Sequence, residues 1–158
     1  MFVTDLITRE LPPNRWLVEE PLIYERYMHV KQIPQDMINA VIADYRGIEF
    51  IKNFDRDVIG YRITINKNFS TDLASVPRVM RAVFNVNGRT RKPATLHDFL
   101  YHHAKLSRAF CDNEFLHAME TCAVNRIESA AMYAGVRAGG WKTYNKYRKQ
   151  RRSPSCGL

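Results

Sequence analysis

Val58-Ile-Gly-Tyr-Arg-Ile-Thr-Ile-Asn66 alternates: Tyr61, Ile63 and Ile65 fall on one face of an extended chain, and Arg62, Thr64 and Asn66 on the other. One face is apolar and the other polar, the pattern of a strand in a sheet covered on one side. Upstream, Glu49 to Phe54 reads as a second strand. Trp16-Leu-Val-Glu-Glu-Pro-Leu-Ile-Tyr24 reads as a third, interrupted by Pro21, whose missing N–H favours an edge or a bulge. Between these strands Pro34 opens a stretch in which Met37, Ile38, Val41, Ile42 and Tyr45 recur at helical spacing, with Gly47 where a C-cap would sit. That spacing predicts a three-turn helix.

After Phe69 the period changes. Ser75 is placed to cap a short helix over Pro77 to Phe84, Asn87-Gly88 marks a turn, and Pro93 opens a longer helix to about Leu106. Ser107 caps the next, to about Ala123. Asn125, with Glu128 three residues on, starts a last helix that Gly139-Gly140 kinks before the basic end of the chain. Strands first and helices after argue for the α+β class: a small, mostly antiparallel sheet from the N-terminal half, packed with a C-terminal bundle of three to four helices. No internal repeat is visible. With 158 residues and 46% hydrophobic content, a single domain over residues 1–150 is expected. The charged, Pro- and Ser-containing end, Arg151 to Leu158, reads as a flexible basic tail.

Apolar runs fall short of the roughly 20 residues that span a bilayer, and acids stand where a secretion signal would be basic and then apolar. The expectation is a soluble protein that stays in the compartment where it is made, without signal peptide or transmembrane segment. Cys111, Cys122 and Cys156 are widely spaced and odd in number, so they read as reduced thiols rather than a disulfide framework. The formal charge is +8, but Lys142, Lys146, Arg148, Lys149, Arg151 and Arg152 cluster with no acid among them. Without those six the balance falls to 18 basic against 16 acidic residues, so the basicity belongs mainly to the end of the chain. Such a run suits phosphates of nucleic acid or anionic lipid headgroups, but it is more often a solvated helix end, and that plainer reading is preferred here. Tyr144 and Tyr147 lie within it; they match stacking on bases, and they match an aromatic edge packed on the core.

The chemistry-bearing residues concentrate in His97-Asp98-Phe-Leu-Tyr101. On a helix, His97 and Tyr101 share a face, and Asp98 lies near Tyr101. On the following helix Asp112 falls in line with Phe115, Met119 and Cys122, which places a carboxylate on an apolar stripe. A buried carboxylate needs a partner. Consecutive helices on a short connection are usually antiparallel neighbours, so Asp112 is expected to reach His97 and fix its tautomer, leaving the other ring nitrogen as a base. Ahead of these helices Ser70-Thr-Asp-Leu-Ala-Ser-Val-Pro77 is rich in side chains that bond nearby backbone, and Thr71, Ser75 and Pro77 define a structural loop. If it folds back over the helix pair, Asp72 and Asp98 offer hard oxygen ligands, with calcium or magnesium as the candidate ion. His102, His103 and His117 raise zinc, although adjacent histidines on a helix point in different directions. Against all of these stands a plainer reading, in which the His, Asp and Tyr residues form a satisfied buried network that fixes helix register.

Thr71-Asp-Leu-Ala-Ser-Val-Pro-Arg78, then His97-Asp98 with Tyr101, Asp112 with Phe115 and Ala118-Met119, and Tyr133 with Val136-Arg137 and Gly140-Trp141, resemble the phage and prophage family catalogued as domain of unknown function 1353. The likeness covers about residues 60–142. It implies a bacteriophage protein of the virion or the host cytoplasm, virion-associated or used in assembly and tail-related, whose partners are other virion proteins in an oligomeric particle. A shorter similarity, His97-Asp98-x-x-Tyr101 followed by Asp112-x-x-Phe115, is to the helix pair of secreted and parvoviral phospholipases A2. That similarity implies a calcium-dependent ester or lipid hydrolase with His97 as general base, Asp98 as calcium ligand, Asp112 orienting His97, and Tyr101 in support. The Gly-rich calcium loop of those enzymes has no counterpart here, because Pro77 to Leu96 contains only Gly88. A third expectation, an early phage protein that binds a host factor or nucleic acid, rests on the basic end alone.

Overall fold

The computed structural model describes residues 1–13, 15–42, 47–52, 57–72, 88–103 and 106–152. Among the described residues six strands, with one helix between the third and the fourth, precede the remaining helices and form two antiparallel sheets. One orders β1 (Thr8–Leu11), β2 (Arg15–Val18) and β6 (Ser70–Thr71) as β1-β2-β6. In the other, β5 (Val58–Ile65) lies between β3 (Leu22–His29) and β4 (Ile48–Lys52). The stretch around Pro21 is therefore two strands in two sheets and not one strand with a flaw. Pro21 sits between Val18 and Leu22, where the chain leaves one ladder for the other.

The alternation read from residues 58–66 holds. Tyr61, Ile63 and Ile65 are buried and register against Arg26, Tyr24 and Leu22 of β3, while Phe50 and Ile48 of β4 face Tyr61 and Ile63. On the outer face Arg62 donates from Nε (2.8 Å) and Nη2 (2.6 Å) to Oε1 of Glu25, and from Nη1 (3.0 Å) to Oε1 of Glu49. Its two neighbours in register on the flanking strands thus carry the opposite charge, a favourable cross-strand arrangement.

The apolar face of β3-β5-β4 is covered by helices α1 (Gln35–Ile42), α2 (Arg91–His103) and α3 (Arg108–Thr121). α1 spans eight described residues, about two turns, and the rest of the predicted helix, with Tyr45, lies outside the described residues; Gly47 sits at φ +85, a left-handed position that glycine takes without strain. There its absent Cβ also avoids the carbonyl oxygen of Thr64, 2.5 Å away.

Ser107 caps α3 by accepting from the Phe110 N–H (3.2 Å), and Asn125 caps α4 (Arg126–Gly139) by accepting from Ile127 N–H (2.8 Å). At Gly140 the chain turns into α5 (Trp141–Arg152), so the diglycine separates two helices, as its kink predicted. α5 carries Arg151 and Arg152 as its last two residues, and the helix therefore extends into the segment read as tail. A second core cluster joins Ala94 of α2, Phe115 and Met119 of α3, and Met132 and Val136 of α4, with Trp16 of β2 against it. No helix among the described residues is long and apolar enough to cross a membrane. Ser75, Pro77, the helix expected over residues 77–84, Asn87, and the segment after Arg152 lie outside the described residues.

Candidate functional site

α3 runs back along α2 after a short connection, and this brings Asp112 to the face of α2 that carries His97 and Tyr101 one turn apart. All three side chains are buried, with no exposed surface on any of them. Nε2 of His97 lies 2.8 Å from Oδ1 of Asp112, and the Tyr101 hydroxyl donates to the same oxygen at 2.6 Å. The other carboxylate oxygen, Oδ2, accepts from Nη1 of Arg137 on α4 at 2.8 Å, and Nη1 of Arg108, one turn earlier on α3, stands 3.6 Å away. Arg108 is itself tied to the end of α4, donating to the Arg137 carbonyl at 2.8 Å. One buried carboxylate on α3 thus accepts hydrogen bonds from α2 and α4 and joins three helices.

The arrangement fixes protonation. Burial pushes the Asp112 carboxyl up, yet the hydrogen bonds from His97, Tyr101 and Arg137 outweigh it and hold the group below the usual carboxylate range. An ionised carboxylate opposite Nε2 makes that nitrogen the proton-bearing one in neutral His97. Nδ1 is then the lone-pair nitrogen, and it is buried with no hydrogen-bond partner among the described residues. The ring is clamped between Tyr101 (centroids 4.1 Å) and Phe115 (4.9 Å). Tyr101 keeps its proton, since burial and the Asp112 charge both push its hydroxyl above the ordinary tyrosine range.

Asp98 is 8% exposed and accepts the hydroxyl of Thr71 through Oδ2. Thr71 pairs with Trp16 in the β2–β6 ladder, so this bond ties the small sheet to α2. Tyr101 commits its hydroxyl to Asp112, so the polar triangle expected within α2 is drawn instead across to α3. Asp72 is exposed, yet it shares a neighbourhood with Asp98. Burial first, and then the charges of Asp98 and Asp72, raise the hydroxyl of Tyr147 on α5. Two carboxylates, one already accepting a hydroxyl, fall short of the six to eight oxygens calcium takes. Among the described residues no three His, Cys, Asp or Glu side chains are placed to hold a metal ion, and no step is routed through calcium below.

The remaining histidines do not converge. His102 faces Tyr147 (4.7 Å) and Phe69 (5.9 Å), His103 packs on Phe99 (4.2 Å), and His117 binds the Tyr24 hydroxyl through Nδ1 at 3.0 Å. Of the basic run, Lys142, Lys146, Arg148 and Lys149 are exposed on α5. Tyr144 and Tyr147 turn inward: the Tyr144 hydroxyl donates to the Leu106 carbonyl at 2.7 Å and its ring lies 5.4 Å from that of Tyr101.

Sequence reading missed the two arginines on Asp112. Arg108 carried a signal, being four residues before Asp112 on the same helical face. For Arg137 the signal was weaker, a basic residue in the last turn of α4, and only the packing of α4 on α3 brings it to the carboxylate.

A second buried polar group lies on the other side of α3. Glu114, 1% exposed, pairs with Nη1 of Arg26 on β3, and its Oε2 and the Tyr61 hydroxyl are buried without a hydrogen-bond partner among the described residues. Burial raises its carboxyl above the ordinary range even though Arg26 opposes the shift.

A family model described as "Protein of unknown function (DUF1353)" matches residues 51–136, more than half of the chain. The match takes in β5, α2, α3 and most of α4, and with them His97, Asp98, Tyr101 and Asp112. No curated protein and no solved structure matches the chain.

Proposed function

The chain belongs to the DUF1353 family, and on the geometry of its helix pair we propose that it is an ester hydrolase with His97 as general base. One observation carries the reading: a buried imidazole whose Nε2 is fixed on an ionised carboxylate and whose Nδ1 has no partner among the described residues. A nitrogen so held takes a proton from water as the water attacks an ester carbonyl, once a local opening of the packing admits both, since the ring has no exposed surface in the closed fold. Asp112 stabilises the imidazolium that forms and keeps the ring from rotating, with Tyr101 and Arg137 holding Asp112 in turn. Nδ1 then returns the proton to the departing alkoxide, so the products are an acid and an alcohol and the site is restored. The spacing His97-Asp98-x-x-Tyr101 and the convergence of His97 and Tyr101 on Asp112 support a likeness in layout to phospholipase A2 and suggest acyl esters of lipids as substrates.

The test is hydrolysis of a short-chain fluorogenic ester and of phospholipid in vesicles, by wild type and by His97→Ala. A loss on the order of 100-fold or more is expected in the variant. Turnover that survives His97→Ala, or an inert wild type, removes the reading.

The saturation of Asp112 favours a second reading. A carboxylate on α3 with donors from α2 and α4 is also what a register-fixing network needs, and it fits a phage virion-associated or assembly protein, tail-related, with no chemistry at all. Mass spectrometry of purified particles tests it. Consistent absence of the protein from particles counts against it.

A further inference from the structure

We propose that α5 is a docking surface for anionic lipid bilayers. The helix is divided lengthwise. Tyr144 and Tyr147 face the protein and are held there, by the bond to the Leu106 carbonyl and by the ring of His102. The other side presents Trp141, Lys142, Asn145, Lys146 and Lys149, which line a shallow groove of about 480 Å³. Trp141 is 50% exposed, and Nζ of Lys142 stands 5.6 Å from its ring centroid. Residues 141–152 contain six basic side chains and no acidic one, so the helix itself is strongly cationic.

The arrangement selects among anionic partners. A single strand of nucleic acid is gripped by exposed rings on which successive bases stack, and two of the three rings of α5 are turned into the protein. What remains outside is one tryptophan at the head of a row of lysines spaced three and four apart. Indole at headgroup depth with lysines reaching phosphates is the chemistry of a bilayer surface. Because the apolar side of α5 is occupied by the core, the helix adsorbs by charge and does not bury itself as a free amphipathic helix does. The surface lies close to the helix pair, since the Tyr144 ring packs on Tyr101. A bilayer on α5 is thus held beside the His97 site, although the docking surface does not depend on that site being catalytic.

The experiment is cosedimentation of the full chain with vesicles of phosphatidylcholine alone and with about 30% phosphatidylserine. Binding is expected to the anionic vesicles only, weakening with salt. Each lysine contributes on the order of fivefold, so Lys142→Ala, Lys146→Ala and Lys149→Ala together should weaken it about 100-fold. The share of tryptophan emission that Trp141→Phe removes should shift to the blue on anionic vesicles. Unchanged melting of the triple variant shows that folding is intact, these side chains being exposed. His97→Ala should bind as wild type does, which separates this proposal from the hydrolase reading. Equal binding by the triple variant, or no binding to anionic vesicles, overturns it. So does tighter binding to duplex DNA that is lost with the same three lysines, which would assign the surface to nucleic acid.

Discussion

Gly140 lies against the hydroxyl of Tyr101: a Cβ on residue 140 would stand 2.6 Å from that oxygen and 2.5 Å from the Val136 carbonyl oxygen. The absence of a side chain at the α4–α5 junction is what lets the chain pass over the ring that holds Asp112. Gly140→Ala should therefore cost about 1–3 kcal/mol, as overpacking does, read from the urea midpoint. Tyr101→Phe removes one of the two clashing atoms. The double variant should lose less than the two single losses added; additive losses would show that Tyr101 is not what Gly140 accommodates.

Asp112 is the point on which three helices depend, so its removal should be felt well beyond the lost pair. Asp112→Ala leaves His97, Tyr101 and Arg137 without their shared acceptor and should cost about 3 kcal/mol or more. A loss under about 1 kcal/mol in chemical denaturation would show that the network is not structural. The pH dependence has a definite sign. The folded carboxyl lies below its unfolded value of 3.8, so its contribution is fully present above that pH and is lost as pH falls through the lower folded value. The stability gap between wild type and Asp112→Asn should be flat at neutral pH and close only under acid conditions, below about pH 4.

How much of this was legible follows from which residues speak locally. Ser107 and Asn125 announce helix starts because a side-chain oxygen meets an N–H two or three residues on, and both caps stand where the sequence placed them. The alternation of Tyr61, Ile63 and Ile65 is equally local. The pairing of His97 with Asp112 was legible for a different reason: an acid on an apolar stripe demands a partner, and the neighbouring helix offered one. Three features were not legible. Pro21 looks the same whether it flaws one strand or divides two. Arg137 reaches Asp112 only through the packing of α4 on α3. Glu114 and Arg26 are 88 residues apart, and no periodicity links them.

Thr71 joins the small sheet to α2 through its hydroxyl on Asp98, and both residues are buried. Thr71→Val keeps the shape and β-branching of the side chain but removes this donor, so it should destabilise by about 1–3 kcal/mol in thermal or urea unfolding. Thr71→Ser restores a hydroxyl and should recover most of the loss. If Thr71→Val melts with wild type, the bond is not what holds β6 to the helix.

His117 should set the slope of stability between neutral and mildly acid pH. Burial, and then the nearby charge of Arg26, lowers its imidazole from 6.5 to about 4. Neutral His117 accepts at Nδ1 from the Tyr24 hydroxyl, which keeps its proton because burial and the Glu114 charge push it above the ordinary tyrosine range. The unfolded chain takes up its proton near pH 6.5 and the folded chain only near 4, so stability from this group is complete above 6.5 and declines between those values as pH falls. Discounted for a side chain that is partly exposed, the decline amounts to about 1–2 kcal/mol. Glu114, on the same helix, runs the other way: its raised carboxyl contributes stability that is present below its unfolded value of 4.5 and lost as pH rises through the folded one. The two are separable by substitution. His117→Gln keeps an acceptor for Tyr24 and cannot titrate, so its melting temperature should fall less than that of wild type from pH 6.5 to 4. Glu114→Gln should instead gain on wild type as pH rises above 4.5. An unchanged slope in His117→Gln would mean that His117 charges in the folded protein as readily as in the unfolded chain, and that the Tyr24 bond does not hold it neutral.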